Sequence, residues 1–402
     1  MSTSGFTRPG LERMHRVLAG HVERGDVPAL AALVARGGDV HVEAMGTLEA
    51  GGSEPVRRET IFRIASLTKP VTAAAAMILV EECRIRLDDS VDPWLPELAD
   101  RRVMRSLASL DDTEPARRPI TLRDLLTSRM GFGSVMAMPG TYPIQARIRD
   151  LQIGGDGPPL PALAPATDEW MRRLGSLPWM AHPGERWMYQ TSIDVLGVLV
   201  SRVAGQPLGA FMRERIFDPL GMKDTAFHVP AEKRGRFPAC YVFDPDAGAL
   251  RLYDGIEDST WGTPPPMESG GGGLVSTVDD YFAFCRMMLN GGSDGGTRTR
   301  ILSPASVSLM TADHVTPQER AGMEVFFGTH SSWGFGMAVD LRREEIYQSP
   351  GRFGWTGGLG TTAYTDPANG MIGILLTQRL MGSPQQPRVF TDFWTAAYGA
   401  MA

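Results

Sequence analysis

The chain has 402 residues, 43% of them hydrophobic and 21% charged, with a formal net charge of −6. That length buries a large core, as one domain or two closely joined ones. The mild acidity, without a basic block, argues against nucleic acid as a partner, and arginines such as Arg57, Arg58, Arg117 and Arg118 read as a solvated surface. No run of about 18 apolar residues offers a membrane span, and the N-terminus lacks the apolar stretch of a signal peptide, so a cytoplasmic location is expected. Cys83, Cys240 and Cys285 are far apart and show no metal spacing. Each lies in or beside an apolar run and reads as a buried free thiol.

In chain order, Leu11–Val22 carries apolar residues at helical spacing. Ala29–Arg36 and Val40–Ala44 read as strands joined by the hairpin signal Gly37-Gly38-Asp39. A short strand-like approach (Ile61, Phe62, Ile64) then runs into an Ala-rich helix that continues to about Glu82. Residues 96–274 change character, with much Pro and Arg. Helical pieces are expected at Thr121–Thr127, Asp168–Leu174, Ser192–Ala204 and Leu208–Ile216, and Gly154–Pro165 is the loosest loop. Thr277 with its following acids starts a helix over Tyr281–Leu289. Trp333–Leu341 alternates like a strand. Thr361–Thr365 and Met371–Thr377 flank the hairpin signal Asp366-Pro-Ala-Asn-Gly370, and Phe390–Tyr398 reads as a closing helix.

Strands at both chain ends with helices between them predict an α+β fold. One antiparallel sheet flanked by helices would form from residues 1–95 and 275–402, and a mainly helical domain from 96–274. No internal repeat is evident.

The chemistry begins at Ser66 and Lys69. Three apart at a helix start, they share a face. Pro70 has no N–H to return to Ser66, which places the serine in the first turn beside unpaired backbone donors. Only three lysines (Lys69, Lys223, Lys233) stand among 40 basic residues. A chain so biased to arginine has kept here the one cation that can give up its proton. Tyr189, after the turn at Pro183-Gly184 and just before a helix, can relay a serine proton to a leaving group. Gly354-Trp355-Thr356-Gly357-Gly358-Leu359-Gly360 precedes a strand, and its glycines allow a substrate oxygen to approach backbone N–H groups.

Other signals carry less. Gly291–Gly295 matches G-x-S-x-G without the strand-turn-helix setting of a nucleophile elbow. Gly270–Gly273 lacks the Gly-Lys-Ser/Thr of a phosphate loop. The histidines show no metal spacing, and His182 reads as structural. No metal or cofactor is expected.

Serine, lysine, tyrosine and a C-terminal Gly-rich strand, in that order, resemble the serine β-lactamase and penicillin-binding protein superfamily. The likeness is closest to its class C-like branch and the family VIII carboxylesterases. It extends over Phe62-Arg-Ile-Ala-Ser-Leu-Thr-Lys69, Ile120–Thr127, Pro183-Gly-Glu-Arg-Trp-Met-Tyr189, Asp218-Pro-Leu-Gly-Met222 and Gly271–Thr277. The resemblance implies Ser66 as acylated nucleophile and Lys69 with Tyr189 as its acid–base pair. It also implies an oxyanion hole of the Ser66 and Gly358 N–H groups, in a cleft between a β-lactamase-like sheet and a helical domain.

Departures from the family pattern bear on substrate. Thr191 stands at the third position of Tyr-x-Asn, and Trp355 replaces the lysine of Lys-Thr-Gly, leaving Thr356 and Gly357. Ser134 follows Gly131-Phe132-Gly133 where many relatives have tyrosine. An indole has one donor and a large apolar face, so charge recognition is lost there unless Arg352 supplies a cation. The expected activity is hydrolysis of a small-molecule carboxylic ester. The alternatives are an amide- or lactam-directed hydrolase, an acyltransferase on the same site, and a non-catalytic binding protein.

Overall fold

The computed structural model describes residues 5–154, 160–295 and 299–402, so part of the Gly154–Pro165 loop lies outside the described residues. Helix α1 (Arg8–Glu23) starts at Thr7, whose hydroxyl accepts the Gly10 N–H, and has Pro9 in its first turn. Gly37 (φ 60°) and Gly38 (φ 92°) then reverse the chain between β1 (Ala29–Arg36) and β2 (Asp39–Gly46). The left-handed conformation that such a tight turn needs costs glycine little.

The nucleophile segment follows as β3 (Phe62–Arg63), a single 3₁₀ turn at Ala65–Leu67 and α2 (Thr68–Glu81). Residues 96–274 contain the expected helices α3 (Leu122–Leu126), α5 (Thr167–Gly175), α6 (Thr191–Ala204) and α7 (Leu208–Met212). The first of these follows β4 (Arg102–Met104) and β5 (Thr113–Pro115), and α4 (Pro143–Asp150) lies before α5. A short α8 (Asp218–Leu220) and the hairpin β6 (Cys240–Asp244) with β7 (Ala249–Asp254) complete the region. Neither small hairpin was legible in the sequence, because two-stranded ribbons on the surface carry little alternation.

The last part holds β8 (Val275–Ser276), α9 (Val278–Leu289), α10 (Pro304–Met310) and α11 (Glu324–Phe327). After them come β9 (Ser331–Trp333), β10 (Ala338–Asp340), β11 (Phe353–Gly357), β12 (Thr361–Asp366), β13 (Met371–Thr377) and α12 (Arg388–Tyr398).

The principal sheet is antiparallel, ordered β2-β1-β13-β12-β11-β10-β9. Its centre joins the two chain ends, with Leu30 opposite Thr377 and Arg36 opposite Met371. β1 and β13 are buried almost throughout, which suits near-continuous apolar runs with helices on both faces. α1 packs with α12, and α12 lies on β13, where Gly373 leaves room for the Trp394 ring. α9 covers β13, β1 and β12, while α2 packs against α6.

Two expectations are corrected. Trp333–Leu341 is not one strand: the chain reverses at Gly334–Met337, closed by Gly334 N–H to Met337 C=O at 2.8 Å, with Gly336 at φ 71°. Phe335 and Met337 are both buried in that reversal, so the polarity pattern conceals it. Cys83 is exposed, since it falls just past α2 in a left-handed turn (φ 56°), whereas Cys240 and Cys285 are buried.

Candidate active site

Ser66 sits in the 3₁₀ turn ahead of α2, preceded by Ala65 at φ 46°. A left-handed non-glycine residue costs on the order of 1–3 kcal/mol and persists only where its surroundings hold it. Here the surroundings do. Thr68 Oγ1 donates to Ala65 C=O at 2.7 Å, Thr361 Oγ1 to Ile64 C=O at 3.0 Å, and the Tyr281 hydroxyl to Leu67 C=O at 2.9 Å. Burial pushes the Tyr281 phenol well above its ordinary pKa, so it stays a donor. Arg63, one step upstream, is buried in an ion pair with Asp254.

Lys69 is fully buried. Its Nζ donates to Ser66 Oγ at 2.9 Å, to Gln190 Oε1 at 2.7 Å and to the Gly271 carbonyl at 2.6 Å. The same nitrogen lies 4.5 Å from the centre of the Tyr189 ring. The Tyr189 hydroxyl donates to Ser66 Oγ at 2.9 Å and accepts the Trp355 indole N–H at 2.8 Å. Ser66 Oγ is therefore held between Lys69 and Tyr189, and whichever of the two is in its deprotonated form can take its proton as the oxygen attacks a carbonyl.

Tyr189 is fixed by stacking and by backbone. Its ring lies 4.9 Å from Phe326 and 5.7 Å from Trp187, centre to centre. Its carbonyl accepts from Ser134 N–H at 2.9 Å and from Thr191 N–H at 3.2 Å. The second bond closes a γ-turn about Gln190 (φ 79°, ψ −72°), a strained geometry for any side-chain-bearing residue.

β11 arrives on the other side of the nucleophile. A Cβ on Gly357 would stand 2.5 Å from Ile64 C=O and 2.2 Å from Thr361 Oγ1, so only glycine lets this strand end lie against the Ser66 turn. Gly358 follows, half-buried, with its carbonyl accepting from Met381 N–H at 2.9 Å.

The structure thus brings together Ser66, Lys69, Tyr189, Trp355 and Gly357, with Gly358 next in the chain. Ser134 borders Tyr189 through its backbone. Thr356 is half-buried opposite Thr362 in the sheet, and Thr191 is buried in the first turn of α6. Arg352 cannot supply the missing cation. It is 3% exposed, bound to Asp340 at 2.9 Å, and lies 3.9 Å from the Tyr364 ring centre and 4.4 Å from that of Trp394. His182 is structural, bridging Arg117 N–H and Glu114.

Gln190 carries no signal in the sequence. The family pattern Tyr-x-Asn points to its third position, whereas the amide that reaches Lys69 comes from the second. A γ-turn that swings a middle residue inward leaves no periodic trace. Among the described residues, no group of three or more His, Cys, Asp or Glu is placed to hold a metal ion.

Comparison with known proteins gives a consistent picture. The family model described as Beta-lactamase matches residues 14–390. Protein Rv1367c of Mycobacterium tuberculosis is 37% identical over 84% of this chain and 82% of its own length. Esterase EstB of Burkholderia gladioli is 31% identical over 86% of this chain and 84% of its own. Among solved structures, EstCE1, described as a hydrolase with promiscuous acyltransferase activity, superposes with a TM-score of 0.81. It is 26% identical and covers 97% of this chain and 98% of its own.

Proposed function

The chain belongs to the beta-lactamase family of enzymes, and from that membership we propose that it is a serine hydrolase of carboxylic esters working through an acyl-Ser66 intermediate. The observation that carries the reading is the double hydrogen bonding of Ser66 Oγ, by Lys69 Nζ and by the Tyr189 hydroxyl, each at 2.9 Å. In acylation, the Ser66 proton passes to this pair as Oγ bonds to the ester carbonyl carbon. The negative oxygen would lie between the N–H groups of Ser66 and Gly358. The C–O bond to the alcohol then breaks, and Tyr189 returns the proton to the departing alkoxide. Water repeats the sequence in reverse: its proton goes to Tyr189, its oxygen takes the acyl carbon, and Ser66 regains its hydrogen as the carboxylic acid leaves.

The preference for esters over β-lactams rests on charge. Trp355 stands where the family lysine would face a substrate carboxylate, its N–H is taken by Tyr189, and Arg352 is bound elsewhere. An alcohol in place of water at the second step would make the enzyme an acyltransferase, a reading favoured by its likeness to EstCE1. The free thiols support a reducing, cytoplasmic setting.

A p-nitrophenyl ester, a lactone and nitrocefin compared on one preparation test the proposal. Ester turnover should dominate, and Ser66→Ala should lower it by about 10⁴-fold or more. Preferential hydrolysis of nitrocefin would overturn the ester reading. Failure of a fluorophosphonate to label Ser66 would overturn covalent catalysis.

A further inference from the structure

Lys69 and Asp194 are both buried, at 0% and 8% exposure, and among the described residues neither forms an ion pair. The acceptors around Lys69 Nζ are all uncharged: a hydroxyl, a side-chain amide and a peptide carbonyl. The donors to Asp194 are uncharged as well. Gln190 Nε2 reaches Oδ2 at 2.9 Å, while the Ser269 hydroxyl at 2.5 Å and the Gly271 N–H at 3.0 Å reach Oδ1. Buried charges in proteins are ordinarily compensated. Here the two are joined by a pair of short bridges. One is the Gln190 amide, oxygen to Lys69 and nitrogen to Asp194. The other is Gly271, carbonyl to Lys69 and N–H to Asp194.

From this double bridge we propose that Asp194 is the positioning residue of the site: it holds the two acceptors that aim Lys69 at Ser66 and serves as the remote counter-charge of the lysine. The proposal rests on the acyl-Ser66 reading given above.

The geometry is specific at each joint. Gln190 reaches inward because the γ-turn (φ 79°) redirects its side chain from the position just before α6, whereas Asp194 projects from the first turn of that helix. Gly271 lets both bridges close: a Cβ there would lie 2.4 Å from Gln190 Nε2 and 2.9 Å from Asp194 Oδ1, so both side-chain ends would have to shift. Gly270 and Gly197 allow the same loop to pass between α2 and α6, since a Cβ on Gly270 would meet Ile193 C=O at 2.7 Å and Thr72 Cγ2 at 3.0 Å. A carboxylate accepting on both oxygens fixes the Gln190 amide with its nitrogen towards Asp194, which leaves its oxygen for Lys69. Asp194 does not touch Ser66, so its effect is transmitted through the lysine.

Asp194→Asn tests this, because an amide in that place must turn an N–H towards one of the existing donors. Burst kinetics with a p-nitrophenyl ester, normalised to fluorophosphonate-labelled Ser66, should show kcat lowered about tenfold or more with KM changed less than about twofold. The pH–rate profile should move, since the substitution removes a negative charge from the network that joins Lys69, Tyr189 and Asp194. Gln190→Glu combined with Asp194→Asn rebuilds the bridge with its polarity reversed, and should recover part of the loss. Wild-type turnover per labelled Ser66 in Asp194→Asn, with an unmoved pH profile, would overturn the proposal. If that variant does not fold, Gln190→Met decides: reduced kcat with a displaced profile supports the bridge, and unchanged kcat overturns it. Absence of labelling in the wild type would instead overturn the covalent mechanism itself.

Discussion

The Trp355 indole N–H donates to the Tyr189 hydroxyl at 2.8 Å, and that hydroxyl donates onward to Ser66 Oγ at 2.9 Å. The tryptophan is thus more than an apolar replacement for a lysine. With one lone pair of the phenol engaged by the indole, the O–H is directed at the serine. A lysine in the same place would bring its charge to the phenol or to the substrate, and an orienting role would become a charge-binding one.

Trp355→Phe keeps the apolar face and removes the donor. Loss of one neutral hydrogen bond of about 1 kcal/mol corresponds to a kcat lowered about fivefold. The comparison is steady-state turnover of a p-nitrophenyl ester, with KM as the control on substrate packing. Unchanged kcat would show that the bond does not orient Tyr189.

Gly357→Ala should be far more damaging than its single methyl suggests. The new Cβ would meet Thr361 Oγ1 and Ile64 C=O, the two atoms that pin the Ser66 turn. Displacing the strand end should lower ester kcat by about 10²-fold or more. Circular dichroism establishes whether the sheet survives, and full activity in a folded variant would remove β11 from the site.

Thiol titration at pH 8 distinguishes the three cysteines. Burial pushes Cys240 up to about 11 and Cys285 up to about 12, whereas Cys83 is exposed. Ellman's reagent should therefore react rapidly with one thiol in the native protein and with all three after denaturation. Cys83→Ser should abolish the native reaction.

Asp224 is held down from 3.8 to about 2, chiefly by its hydrogen bonds from Arg236 and then by Lys233. The unfolded chain takes up this proton near 3.8 and the folded one only near 2. The stabilisation is therefore complete above that window and lost as pH falls through it. Asp224→Asn should lower the melting temperature at pH 6, and the gap to wild type should narrow as pH falls towards 2. A gap independent of pH would show that the carboxylate charge is not what matters.

The legible parts of the sequence were those with strong local grammar. Gly37-Gly38 marked its hairpin, the Met371–Thr377 run marked a strand, and Ser66-x-x-Lys69 marked two side chains that meet in a hydrogen bond. What escaped depends on tertiary placement. Arg352, beside the Gly-rich strand in sequence, turns away from the site to a buried partner. Gln190 enters the site only because its backbone is strained, and Trp333–Leu341 hides a reversal beneath buried aromatic and sulfur side chains. None of these outcomes follows from residue type or periodicity.

The pairing of β1 with β13 has a consequence for synthesis. At about 5–20 residues per second, Ser66 leaves the ribosome on the order of tens of seconds before Gly357. Throughout that interval the nascent chain carries Ser66 without β11, the strand that lies against it, and without the central partner of its first hairpin. A chain cut short before β11 therefore keeps the Ser66 segment but lacks the strand end that lies against it. The surroundings of Ser66 are complete only once β11, β12 and β13 have joined the sheet.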